Sequence, residues 1–207
     1  MERAKKKIYF VTGNSHKFNE IKSLFLKEDL NYILLQKQLD TLEIQADNLK
    51  EVALFKLNSV REKIDGTYFI EDAGLFIDVP LNGFPGVWSK YVYKTIGNRG
   101  ILKLIDNFDT TVAHFEAIIA FHDNDSKSIL TFQGIVKGKI AKKIRGNEGF
   151  GFDPIFIPED IPDKTFAELS TIEKNTISHR SKAFNLLVQF LKSKESNNLK
   201  KSHGKYP

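Results

Sequence analysis

Apolar positions along this chain change their period several times, and each change marks an element. Ile8-Tyr9-Phe10-Val11 is apolar throughout, as a buried strand is, and Thr12-Gly13-Asn14 stops it. Beyond that turn Phe18, Ile21, Leu24 and Phe25 recur at helical spacing with Lys and Glu between them. A second strand is predicted near Tyr32–Leu35. A second helix is predicted from Asp47 to about Ile64, with Leu49, Val52, Ala53, Leu57, Val60 and Ile64 as its stripe. Tyr68-Phe69-Ile70 reads as a strand running into Glu71-Asp72 at its end. His114–His122 and Ser128–Val136 are apolar and β-branched, and Asp123-Asn124-Asp125-Ser126 between them predicts a hairpin. Ser170-Thr171-Ile172-Glu173 has capping-box spacing; either that segment or a helix restarting near Ser178 puts Ala183, Phe184, Leu187 and Phe190 on one face. Helices alternating with strands early, and a hairpin late, indicate an α/β protein with a mixed sheet.

Composition sharpens this picture. A chain of 207 residues, 41% hydrophobic and 28% charged, suits one folded body. Residues 8–191 show no internal repeat or linker, so 1–191 is expected to be one domain, whereas 192–207 (KSKESNNLKKSHGKYP) is basic and polar and is predicted to be a disordered tail. The net charge of +5 divides into +3 on residues 1–7, +4 on the tail and −2 on the body. The basic balance therefore belongs to the ends, so nucleic acid is not the expected partner; binding it through the basic termini is the rival reading. Zero Cys excludes disulfides, thiolate zinc sites and Cys nucleophiles. No signal-peptide core and no membrane-length apolar run stand out, so a cytoplasmic protein with no membrane partner is expected.

Five places carry candidate chemistry, each with a plainer alternative. Thr12, Gly13, Asn14, Ser15, His16 and Lys17 join a strand to a helix; such a turn aims N–H groups and the helix dipole at an anion, or is simply an N-capped turn. Walker A spacing is absent. Lys56 falls inside the apolar stripe of the second helix, where it must snorkel outward or meet an anion. Glu43, Glu71 and Asp72 offer hard oxygen ligands for magnesium, or are surface charge. Phe150, Gly151, Phe152 and Asp153 interleave glycine with aromatics, suiting close approach and stacking of a base, or a bend into a strand at Ile155–Ile157. Lys174, His179 and Arg180 suit recognition of a purine carbonyl or a phosphate, or are ordinary residues of helix first turns.

Taken in order, these segments resemble the Ham1/RdgB family of inosine triphosphate pyrophosphatases, in its archaeal form. The matching text is TGNSHK, LEIQADNLKEVA, FIEDAGLFIDVPLNGFPGVWSKYV, GFGFDPIFIP, TFAELSTIEKN and ISHRSKA, covering about Ile8 to Leu191. The resemblance implies a two-lobed α/β fold with a long central mixed sheet, a deep cleft between the lobes, and a homodimer. It implies metal-dependent hydrolysis of non-canonical purine nucleoside triphosphates (ITP, dITP, XTP) to monophosphate and pyrophosphate. In such enzymes Thr12 through Lys17 bind the triphosphate. Glu43 and Asp72 hold Mg2+, with Mn2+ as a substitute. Asp72 is then the general base, Glu71 its support and Lys17 a catalytic charge. Lys56 and Lys90 contact substrate, Phe150 to Asp153 line the base pocket with Phe152 as stacking ring, and Lys174, His179 and Arg180 complete recognition. Ala73 stands where many members carry Ser, which removes one hydroxyl contact to substrate.

Overall fold

The computed structural model describes residues 5–203, with side chains as far as Asn197. The charges expected at Glu2, Arg3, Lys200, Lys201 and Lys205 lie outside the described side chains. The described residues form one seven-stranded mixed sheet and six α-helices. In chain order these are β1 (Lys6–Val11), α1 (Ser15–Phe25), β2 (Tyr32–Lys37), α2 (Leu49–Ser59), β3 (Thr67–Val79), β4 (Phe84–Pro85), α3 (Ser89–Thr95), α4 (Gly97–Leu104), β5 (Val112–Asp123), β6 (Ser128–Ile140), β7 (Phe156–Pro158), α5 (Thr171–Ile177) and α6 (His179–His203). Strands lie in the order β2-β1-β3-β5-β6-β7, with β4 added to β3. β1 is parallel to β2 and β3; every other pairing is antiparallel.

The sheet is covered on both faces, which explains why β1 reads as a continuous apolar run. Ile8, Phe10, Phe69, Ala117, Ile119 and Phe121 face a core with Ile21 and Leu24 of α1 and Phe184 and Leu187 of α6. Val11, Tyr68, Ile70, Ile118 and Ala120 face the opposite core, with Leu49, Ala53 and Leu57 of α2. A third cluster packs Leu75, Ile77, Phe115 and Val136 against Ile101 of α4 and Phe152, Phe156 and Phe166. Gly134 of β6 lets α6 approach: a Cβ there would lie 2.0 Å from the His179 carbonyl oxygen.

Several expectations are corrected. α2 stops at Ser59 and a single 3-10 turn (Arg61–Lys63) follows, although Val60 and Ile64 remain buried in line with the stripe. β3 does not end at Glu71-Asp72 but runs on to Val79, because β5 pairs with it throughout. Pairing with the parallel partner β1 does end, at Phe10–Phe69, so both carboxylates lie just beyond the stretch of β3 that β1 covers. Of the segment 192–207, expected to be disordered, 204–207 lie outside the described residues, and the part to His203 continues α6 as helix. It is held from outside: Lys192 pairs with Glu28 (2.7 Å), Lys194 with Asp123 and Asp125, and Glu195 accepts the Asn31 amide (2.9 Å). Those two lysines are thus engaged with this chain's own carboxylates. No helix among the described residues is long and apolar enough to cross a membrane.

Candidate active site

The turn after β1 opens into a cleft of about 910 Å³. It is lined by residues 12–17, by Glu43 and Lys56, by β3 from Ile70 to Leu75, by α3, by residues 149–153, and by Lys174, His179 and Arg180. Every residue singled out from the sequence lines this one cleft.

The turn serves as a helix cap and faces the cleft at once. Asn14 accepts from the amides of His16 (2.9 Å) and Lys17 (3.2 Å), and its own amide donates to Thr12 Oγ1 (3.1 Å). The two readings of this segment therefore coexist. Adding a Cβ at Gly13 would meet no atom within 4 Å, so the backbone there borders open space.

Adjacent residues on a strand point to opposite faces, and Glu71 and Asp72 follow that rule. Glu71 joins the side of α1 and α6, where its carboxylate takes Lys17 Nζ (2.7 Å) and Arg180 (Nη2 at 3.0 Å, Nε at 3.1 Å). Burial opposes its ionisation, but the charges of Arg180 and Lys17 overcome that and hold the carboxyl below its usual range. Glu71 thus serves as an anchor for two cations. Asp72 joins the side of α2, where Oδ2 accepts from Lys56 Nζ (2.8 Å) and Oδ1 from the Ala73 amide (3.1 Å).

Lys56 is the residue whose place in an apolar stripe demanded either solvent or an anion. It meets two: Glu43 at 2.7 Å and Asp72 at 2.8 Å. Glu43 sits on the irregular segment before α2 and is also held by Lys90 Nζ (2.9 Å) and the Tyr91 hydroxyl (2.6 Å) of α3. Burial disfavours its charge, yet hydrogen bonds from Lys56, Tyr91 and Lys90 bring its carboxyl down to about 2. Lys90, expected on substrate, here touches a carboxylate.

Deeper in the cleft lies a buried ion network with a member the sequence did not disclose. Glu20 of α1 is only 6% exposed and bridges Lys174 (2.8 Å) and Arg180 (2.5 Å). Its carboxyl is lowered to about 2: burial alone would raise it, and the Arg180 and Lys174 charges reverse that. Lys174 also takes Asp153 (2.6 Å), whose Oδ2 accepts the Phe150 amide (2.8 Å) and so shapes the bend at 149–153. Burial nevertheless pushes the Asp153 carboxyl up.

Two recognition residues differ from expectation in detail. Phe152, expected to stack on a base, is 3% exposed and packs its ring edge-on to Tyr93 (5.4 Å, 85°). Phe150 is the half-buried ring, against His16 (5.2 Å) and beneath Lys174 (5.1 Å) and Arg180 (5.4 Å). His179 stacks on Phe115 (4.6 Å, 10°) and is fully enclosed; burial, then the charges of Arg180, Lys174 and Lys17, hold it neutral, far below the usual histidine range. Its Nδ1 has no partner among the described residues. Tyr93 and Lys94 of α3 also line this end, and Asn98 of α4 donates to the Gly151 carbonyl behind it; none was foreseen, because neither helix is announced by a side-chain cap.

Among described residues no group of three or more His, Asp or Glu converges as a metal cage. Glu43 and Asp72 nevertheless bring two carboxylates to one point, where an ammonium sits between them. Two carboxylates suit a magnesium ion that draws its other ligands from water and phosphate, so these residues fit such a group.

Known proteins resemble this chain over most of its length. The Ham1 family pattern matches residues 8–190. The chain is 47% identical over 186 residues to a dITP/XTP pyrophosphatase of Thermococcus kodakarensis, covering 90% of this chain and 97% of that one. It is 44% identical over 184 residues to one from Methanothermobacter marburgensis, covering 89% and 95%. The Ham1 protein of Staphylococcus aureus superposes with a TM-score of 0.76 at 30% identity, over 91% of this chain and all of the other (100%). A HAM1 protein from Coxiella burnetii gives 0.76 at 27%, over 91% and 99%. The chain belongs to the Ham1 family.

Proposed function

We propose that this chain hydrolyses non-canonical purine nucleoside triphosphates (dITP, ITP and XTP) to the monophosphate and pyrophosphate, with Mg2+ at Glu43 and Asp72 and Mn2+ as a substitute. The observation that carries the reading is the convergence of these two carboxylates on Lys56, in a cleft that also holds a helix N-terminus and an aromatic bend. The relatives' names support the substrate class.

The chain's own residues divide the work. Amides of the turn at residues 12–17 and the Lys17 ammonium bind the triphosphate. Asp72 orients the attacking water and accepts its proton, while Lys17 and Lys56 stabilise the charge that develops on phosphate. When bound, the metal neutralises phosphate charge. Phe150 provides a stacking face. The neutral His179 imidazole and the N–H groups of Arg180 not used on Glu20 and Glu71 donate to O6 of an oxo-purine. An adenine amino group would leave such donors unpaired, which discriminates strongly against ATP. The family resemblance also supports a homodimer, checked by sedimentation.

The test is pyrophosphate release from a panel of triphosphates with and without Mg2+, using Asp72→Asn as the blank. Selective, metal-dependent turnover of dITP and XTP is expected. Similar rates on ATP and GTP would refute the proposal.

A further inference from the structure

Cations lining the cleft come with carboxylate partners, with one exception. Lys17 is paired with Glu71, Lys56 and Lys90 with Glu43, and Lys174 and Arg180 with Glu20. Lys94 lines the same cleft, and no ion pair forms on it among the described residues. It is exposed, on the one-turn spacing that brings Lys90 and Lys94 to a shared side of α3.

Two contacts fix which end of the cleft Lys94 serves. Its neighbour Tyr93, also lining the cleft, sets its ring against the edge of Phe152 (5.4 Å). Asn98 of α4 donates from Nδ2 to the Gly151 carbonyl (3.1 Å). The segment carrying Lys94 is therefore tied at two points to the bend at 149–153, which shapes the base end. Lys90, one turn earlier, reaches instead toward Glu43 at the carboxylate end.

We infer that Lys94 is a specificity-determining residue that favours a purine carrying negative charge on its ring, which selects XTP over ITP. This rests on the proposed function and names the substrate preference of that same site. Xanthine has oxo groups at C2 and C6, and its ring N–H is acidic enough that the base is largely an anion near neutral pH. Hypoxanthine is neutral there. An ammonium with no carboxylate of its own discriminates between the two by charge, whereas the paired cations deeper in the cleft are already compensated.

The experiment measures kcat/KM for XTP and ITP at neutral pH with the full-length wild type, Lys94→Gln and Lys94→Arg. The XTP to ITP ratio is expected to fall about three- to tenfold in Lys94→Gln, the range for an exposed charged contact, and to stay within about twofold of wild type in Lys94→Arg. An unchanged ratio in Lys94→Gln, whether or not both rates fall together, overturns the inference, since a phosphate contact weakens both substrates alike. A wild type that hydrolyses neither substrate refutes the proposed function itself; one that hydrolyses both with an unchanged ratio refutes the role of Lys94 alone.

Discussion

Replacing Glu20 by Gln tests the buried network most directly. The carboxylate is nearly enclosed and bridges Lys174 and Arg180. Its carboxyl titrates at about 2 instead of the ordinary 4.5. That difference corresponds to about 3 kcal/mol of folding stability, within the range for breaking a buried ion pair. Because the folded value is depressed, the contribution is fully present above 4.5 and disappears as pH falls through 2. Glu20→Gln should therefore lose about 3 kcal/mol in urea unfolding at about pH 7, with a melting temperature lower by roughly 6–12 °C. The gap to wild type should shrink to less than about half of that near pH 3. A loss under about 1 kcal/mol at neutral pH, or a gap that does not narrow in acid, would refute this account of the network.

Other predictions follow from local geometry. Gly134→Ala drives a methyl into the His179 carbonyl and should cost about 3 kcal/mol or more in chemical denaturation. Gly13→Ala, with open space around it, should leave the melting temperature within about 2 °C by the same reasoning. Ser170→Ala removes the hydroxyl that accepts the Glu173 amide (3.2 Å) and should cost about 1 kcal/mol, read by the same unfolding assay. Phe150→Ala should raise KM for dITP about tenfold with a smaller change in kcat, since stacking on a base is worth about 1–3 kcal/mol; an unchanged KM would show that another ring holds the base.

Features set by neighbouring residues were legible in the sequence. The cap at Asn14 needs only residues 12–17, and the capping box at Ser170 needs only Glu173. Lys56 was legible as an anomaly, because a lysine in an apolar stripe requires a partner wherever the helix docks. Glu20 was not legible. In the sequence it is one more charge on an amphipathic helix, and its role depends on Lys174 and Arg180, 154 and 160 positions away. The same applies to the continuation of α6, whose polar composition argues for disorder until Glu28, Asp123 and Asn31 come into reach. The contact of Phe152 with Tyr93 was not legible, because nothing local to Phe152 announces that ring.

The pleat of β3 makes the site depend on strand register. Glu71 and Asp72 are neighbours that serve opposite layers, opposite Ile119 and Ile118 of β5. A slip of one residue in that pairing would exchange them, sending the cation anchor toward α2 and the carboxylate proposed to orient water toward α1 and α6. The proposed activity is thus a readout of strand alignment. A chain that folded with β3 misaligned against β5 would keep much of its secondary structure and lose its chemistry altogether.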